Sequence, residues 1–398
     1  MTEPALHDVR VLDMTEGIAG PYAASVLGDL GADVVKIERP QGDWGRTSGA
    51  ILHEGFGSVF VAMNRNKRCL GLDVRTDGGQ QVVRDLVRRS DVIVSNYRPG
   101  AMDRLGLGFD DVTALRPGIV YATVSAFDPG GPYAELPGND TGLQAASGLM
   151  DLIGEPDGPP LRVAVPVVDF TAALFAVQGI LAALHNPASA RRVDVSLINA
   201  AAALQGLPLT EFLHTGEPPR RQGNQNAFLA PAGAFATADG RYVTVSCLRE
   251  SHWCNLCRVL GREDLTSDPR YVDNASRVEH RTALNAEIAP LLAQRTQAEW
   301  LPLLRDADVL TAAVNDFDDV VSDPGLGPTL PVNDTGLSGD GGSRAVGYPV
   351  RFDGRFPAHE RGPARAGEHS AEVLRDLGYD DAAVDDLVTA GAVFLASP

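Results

Sequence analysis

Cysteine is scarce. The 398-residue chain holds four, too few for a disulfide framework, and this scarcity fits a reducing cytoplasm. Positive charge is also in deficit. Thirty-four Lys+Arg stand against 52 Asp+Glu, a net charge of −18, which argues against general nucleic-acid binding and favours solubility. Uninterrupted apolar runs of membrane length are missing. The longest candidate, "PVVDFTAALFAVQGILAAL" from Pro166 to Leu184, is broken by Asp169 and Gln178. The N-terminal "MTEPALHDVRVLDM" lacks the basic-then-apolar layout of an export signal, so the expectation is a cytoplasmic protein with no membrane partner. No HExxH, GxSxG or GxxxxGK[ST] occurs, and the eight histidines are scattered, so neither a metal site nor a P-loop is expected. "DGG" at 77–79 and "GDGG" at 339–342 read as loops too short to cradle a phosphate.

What is present is an ordinary globular composition, 44% hydrophobic and 22% charged, on a chain long enough for two domains. The first third alternates strand and helix: "VRVLDM", then "GPYAASVLGDLGA" with Pro21 in its first turn and Gly31 past its end, then "DVVKIE", "TDGGQQVVRDLVRRS", "DVIVSN" and "GIVYATVSAF". That alternation predicts an α/β fold with a mainly parallel sheet. The apolar helix after Asp169 follows, then "RRVDVSLINAAAALQG" as a strand running into a helix. Composition shifts near residue 215, where "HTGEPPRRQGNQNAFLAPAG" reads as a linker. Asp239-Gly240 between apolar runs predicts a hairpin. The predicted organisation is a large domain over 1–215, a smaller α+β domain over 216–325, and a C-terminal segment, 326–398, carrying two short helices.

Two features invite a chemical reading. From Asn64 to Arg104, nine Lys+Arg meet five Asp, a local excess that suits a small polyphosphate ligand as well as it suits a solvated surface. Asp169 heads the apolar helix. As an N-cap it is worth ~1 kcal/mol; as an anion held ionised by the helix N-terminus it can be a nucleophile. The residues alone leave both readings open. Cys254 and Cys257 are spaced as CxxC but fall in a predicted helix with no second pair, and read as structural thiols.

Several stretches in order resemble the family III CoA-transferases, the group of formyl-CoA and carnitine CoA-transferases and α-methylacyl-CoA racemases: "VLDMTEGIAGPYAASVLGDLGADVVKIERPQGD", "NRNKRCLGLDVRTDGG", "DVIVSNYRPGAMDRLGLG", "GNDTGLQAASGLM", "PVVDFTAALFAVQGILAAL", "RRVDVSLINA" and "GEHSAEVLRDLGY". The resemblance implies a large Rossmann-like domain and a small inserted one, in a homodimer whose chains interlock like rings. It implies acyl-CoA and carboxylic acid as substrates, coenzyme A being substrate rather than cofactor. It matches Asp169 to the catalytic aspartate and offers Asp140 as a second site residue. It assigns Arg39, Arg75 and Arg104 to the phosphates of coenzyme A, with Leu72, Asn96, Tyr97 and Leu105 along its adenine and pantetheine path. Ile18 stands where formyl-CoA transferases carry glutamine, which points to a larger or less polar acyl group. Their glycine-run lid is missing, leaving Gly223 and Asn224 as an alternative. Asn139 replaces the histidine of the racemases' "GHD", which disfavours the alternative of a racemase or epimerase; a non-catalytic CoA-binding protein is the other alternative.

Overall fold

The computed structural model describes residues 4–186, 188, 191–337, 343–357 and 360–396; "GDGG" at 339–342 lies outside the described residues. The chain forms two compact units. One comprises Met1–Leu149, Val163–Gly216 and Leu330–Pro398, the other Met150–Arg162 and Glu217–Thr329.

The larger unit is built on a seven-stranded sheet. Its strands are β1 (Arg10–Met14), β2 (Asp33–Glu38), β3 (Lys67–Leu72), β4 (Val92–Ser95), β5 (Val120–Ser125), β6 (Arg192–Ser196) and β7 (Val393–Phe394). Their order is β7-β3-β2-β1-β4-β5-β6. All neighbours run parallel except β7, which closes one edge antiparallel to β3. β-Branched residues fill the central strands because both faces are covered, and Val11, Leu12, Ile93 and Val94 are buried. One face packs Leu12, Leu70, Leu72 and Ile93 on Val83, Leu86 and Val87.

The helices used below are α1 (Ala19–Asp29), α2 (Asp77–Arg89), α3 (Ala101–Arg104), α4 (Asp140–Ala146), α5 (Val167–His185), α6 (Leu197–Leu204) and α7 (Gly206–Thr215). Pro21 falls in the first turn of α1, and Gly31 beyond its end has φ +103°. Residues 77–79 are not a loop: they form the first turn of α2, where Thr76 accepts the Gly79 N–H at 3.0 Å. A Thr N-cap with permissive glycines behind it starts a helix as readily as a turn.

α5 crosses over from β5 to β6. It is long and apolar enough to cross a membrane by length and composition, despite Asp169 and Gln178. Here one side of it is sheet cover: Val168, Ala172, Ala173, Ala176 and Ile180 are buried. A Cβ on Gly179 would meet Val193 of β6 at 2.6 Å, so only glycine allows this approach.

In the smaller unit, Ala232–Ala236 and Tyr242–Ser246 form the hairpin around Gly240, whose φ is +73°, and Leu310–Ala313 adds a third antiparallel strand. Helices Glu250–Leu260, Arg281–Leu292 and Gln297–Asp306 accompany the sheet, around a core of Trp253, Leu256, Leu284, Ile288 and Trp300. Cys257 is buried on the first of these helices and Cys254 exposed; burial pushes the Cys257 thiol up to about 12. Met150–Arg162 belongs to this unit through an Arg221–Asp151 ion pair and the Gly223 N–H on the Gly154 carbonyl, 2.9 Å.

Candidate active site

After β1 the chain winds outward through β2 to β3, then returns to the other side of β1 with β4. The order therefore reverses between β1 and β4, and in open parallel sheets the crevice beyond the strand C-termini at such a point is the usual ligand site. The loops Thr15–Ile18 and Asn96–Gly100 leave the sheet there. Asn96 joins them: its amide donates to the Glu16 carbonyl at 2.7 Å, and its Oδ1 accepts the Glu16 N–H at 3.0 Å.

A buried charge network supports the first loop. The chain has only two lysines, Lys36 and Lys67, and both are buried. Lys67 donates to Asp13 (2.8 Å), Asn64 (2.9 Å) and the Pro21 carbonyl (2.8 Å). Lys36 pairs with Asp43 at 2.9 Å and donates to the Thr15 carbonyl at 2.6 Å. Asp43 in turn accepts the Gly17 N–H at 3.1 Å. Burial, with Lys36 adding like charge, brings Lys67 down to about 8. Burial pushes Asp13 the other way, but the two lysines outweigh it and hold its carboxyl below the ordinary range. Sequence reading missed this network. Its visible signal was that two lysines stand among so many arginines.

The residues expected to meet coenzyme A sit on or after the carboxyl ends of β2, β3 and β4. Arg39 follows β2 and is held by Glu16 at 2.9 Å. Leu72 ends β3 and is fully buried in the core, so the structure does not bring it onto a ligand path. Arg75 is exposed and forks onto Asp73 at 2.8–2.9 Å. Tyr97 and Leu105 are half-buried against the core, and burial raises the Tyr97 phenol. Arg104 is exposed on α3. The cations of 64–104 do not all stand free for a ligand. Arg65 is buried on Asp29, and Arg68 binds Asp33, Glu372 and Asp376. Among the described residues, only Arg84, Arg98 and Arg104 of that segment have neither an ion pair nor a side-chain hydrogen bond. Arg84, not singled out from sequence, reaches the same turn as Arg104: a Cβ on Gly106 would lie 3.9 Å from its Nη2.

Asp169 is half-buried at the third position of α5. It is not the N-cap: Pro166 occupies that position without a side-chain cap. The cap comes from elsewhere. Asp140, buried on the first turn of α4, accepts the Val168 N–H at 2.8 Å and the Asp169 N–H at 3.4 Å. Its other oxygen accepts the Gln144 amide at 2.6 Å. Asn139 caps α4 itself, accepting the Gly142 N–H at 2.9 Å. The Asp169 carboxylate accepts no hydrogen bond among the described residues. Burial first, and the Asp140 charge second, push it up to about 7. Desolvation and a like charge thus work against the ionisation that a helix N-terminus favours. Tyr22 of α1 meets Phe170 edge-on at 4.7 Å, which sets Asp169 near the first turn of α1. Half-buried Ile18 precedes that turn.

The arrangement offers a poorly solvated carboxylate that accepts no hydrogen bond among the described residues, near the first turn of α1. Comparison with known proteins fits it. The family model described as CoA-transferase family III matches residues 6–370. A succinyl-CoA:mesaconate CoA-transferase of Haloarcula hispanica is 35% identical, over 94% of this chain and 96% of its own. A mouse succinyl-CoA:glutarate CoA-transferase is 30% identical, over 98% and 90%. A CAIB/BAIF family protein from Brucella suis superposes with a TM-score of 0.85 at 31% identity, over 94% of this chain and all of its own.

Proposed function

The chain belongs to CoA-transferase family III, and from that premise we propose that it moves coenzyme A from an acyl-CoA thioester to a free carboxylic acid through covalent intermediates on Asp169. The observation that carries this reading is the Asp169 carboxylate itself, half-buried and, among the described residues, free of hydrogen-bond donors at the head of α5. A carboxylate stripped of water and donors is a stronger nucleophile than a solvated one. It attacks the donor thioester carbonyl, forming a mixed anhydride and releasing CoA thiolate. The thiolate attacks the aspartyl carbonyl, forming an aspartyl-CoA thioester and releasing the donor acid. The acceptor carboxylate attacks that thioester and frees the thiolate again. The thiolate then takes the new acyl group and restores Asp169. One thioester replaces another, so these steps call for no ATP, metal or further cofactor.

Arg104, with Arg84 and Arg98, is free to fork onto the phosphates of coenzyme A. Arg39 and Arg75 must first exchange Glu16 and Asp73 for the ligand. Two of the relatives named above use succinyl-CoA with a dicarboxylic acid, which supports short dicarboxylic acids as donor and acceptor. Four free cysteines support work in a reducing cytoplasm. The partner is a second copy of the chain, interlocked with the first. α7 has no buried residue and exposes Leu207, Leu209, Phe212 and Leu213, and α5 exposes Leu174 and Phe175. Racemisation would need a second proton-transfer group; Asn139 cannot shuttle a proton and its oxygen caps α4.

The test is peptide mass spectrometry after incubation with a panel of acyl-CoA donors, succinyl-CoA first. The expected adduct maps to Asp169 and becomes a hydroxamate with hydroxylamine. Asp169→Ala should lose transfer while keeping coenzyme A binding. Full-speed exchange by that variant, or an adduct mapping elsewhere, would refute the reading.

A further inference from the structure

Asp140 and Gln144 lie one turn apart on α4, and between them they fasten the chain on both sides of the start of α5. Gln144 is fully buried. Its Oε1 accepts the Val163 N–H at 2.8 Å, while its amide donates to Asp140 at 2.6 Å. Asp140 then accepts the first-turn N–H groups of Val168 and Asp169. Orphan N–H groups of a helix start are normally met by a residue just before it. Pro166 has no side-chain acceptor, so a carboxylate from another helix supplies one. We infer that Asp140, locked by Gln144, is the positioning residue of Asp169: it fixes the first turn of α5 and sets the charge of the nucleophile beside it. This rests on the proposed role of Asp169.

Two roles follow from one side chain. The hydrogen bonds place the Asp169 backbone, and the negative charge works against ionisation of Asp169, in the same sense as burial. The elements packed on α5 carry Tyr22 and Asp29 on α1, Asp140 on α4, Tyr121 on β5 and Arg192 and Asp194 on β6, with no titratable residue on α6. Of these, Asp140 is the charged neighbour that pushes the Asp169 carboxyl up. Asp140 is therefore not a group that meets substrate; both its oxygens are occupied by α5 and Gln144.

A titration of Asp169 by carboxyl ¹³C NMR tests this on the full chain without any substrate. Its signal is identified by its loss in Asp169→Asn. The midpoint should lie near 7 in the natural protein and fall by about one pH unit in Asp140→Asn. It should stay in place in Gln144→Ala, which loosens the clamp but keeps the charge. If Asp140→Asn does not fold, Asp140→Ser also offers an uncharged oxygen and should show the same fall. An unmoved midpoint in the folded Asp140 variant would overturn the inference. Because the measurement needs no acyl-CoA, its failure is separate from a missing adduct on Asp169, which would instead overturn the proposed function.

Discussion

Folded Asp169 keeps a proton that the unfolded chain releases. Its carboxyl titrates near 7 rather than 3.8, so between about pH 4 and pH 7 the native state binds more protons than the unfolded one, and stability falls as pH rises through that window. Asp169→Asn removes the penalty. That variant should be inactive yet more stable than the natural protein at pH 8, on the order of 1 kcal/mol after allowance for solvent still reaching the group. Urea titrations at pH 8 and pH 4.5 check this: the gap should close at the lower pH, and an equal gap at both would contradict it. Sequence pointed at position 169 but could not choose between cap and nucleophile. The deciding facts are that Asp140, 29 residues earlier, does the capping, and that among the described residues no donor reaches the Asp169 side chain. Neither is written in local spacing.

Among the elements, those with clean periodicity and caps were legible: β1, β2, β4, β5, α1, α2 and the hairpin at Asp239-Gly240. β3 was not, because "KRCLGL" carries two cations and a glycine. Each is explained only by a distant partner: Lys67 by Asp13, Arg68 by Asp33, and Gly71 by the Phe394 ring, which a Cβ would meet at 2.5 Å. "RTALNAEIAPLLAQRTQAEWLPLLRDA" read as helical throughout; it divides into two helices because Thr296 and Glu299 form a capping box. The close seating of α5 on β6 makes its own prediction. Gly179→Leu should destabilise the chain by about 1–3 kcal/mol through overpacking against Val193, read as a lower urea midpoint. An unchanged midpoint would mean that α5 is free to shift.

At the scale of the molecule, α5 and α7 present leucine and phenylalanine to solvent beyond what scattered surface apolar residues require. Light scattering should give twice the 42.1 kDa of one chain. Leu207→Glu with Leu213→Glu on α7 should shift that mass toward the monomer; a natural protein of one-chain mass would refute the second copy. The arginines told a partial story from sequence. Their number was visible, but only folding shows that half of those between 64 and 104 answer a carboxylate, that Arg89 answers backbone carbonyls, and that Arg84, Arg98 and Arg104 answer neither among the described residues.

The lysine count has a chemical corollary. Activated thioesters slowly acylate exposed amines, and acylation of lysine erases its charge. Both lysine ammonium groups are buried, Lys36 on the Thr15 carbonyl and Lys67 on Asp13, Asn64 and the Pro21 carbonyl. A catalyst working amid reactive acyl donors thus presents no exposed lysine to them, and side-chain amine damage finds no foothold there.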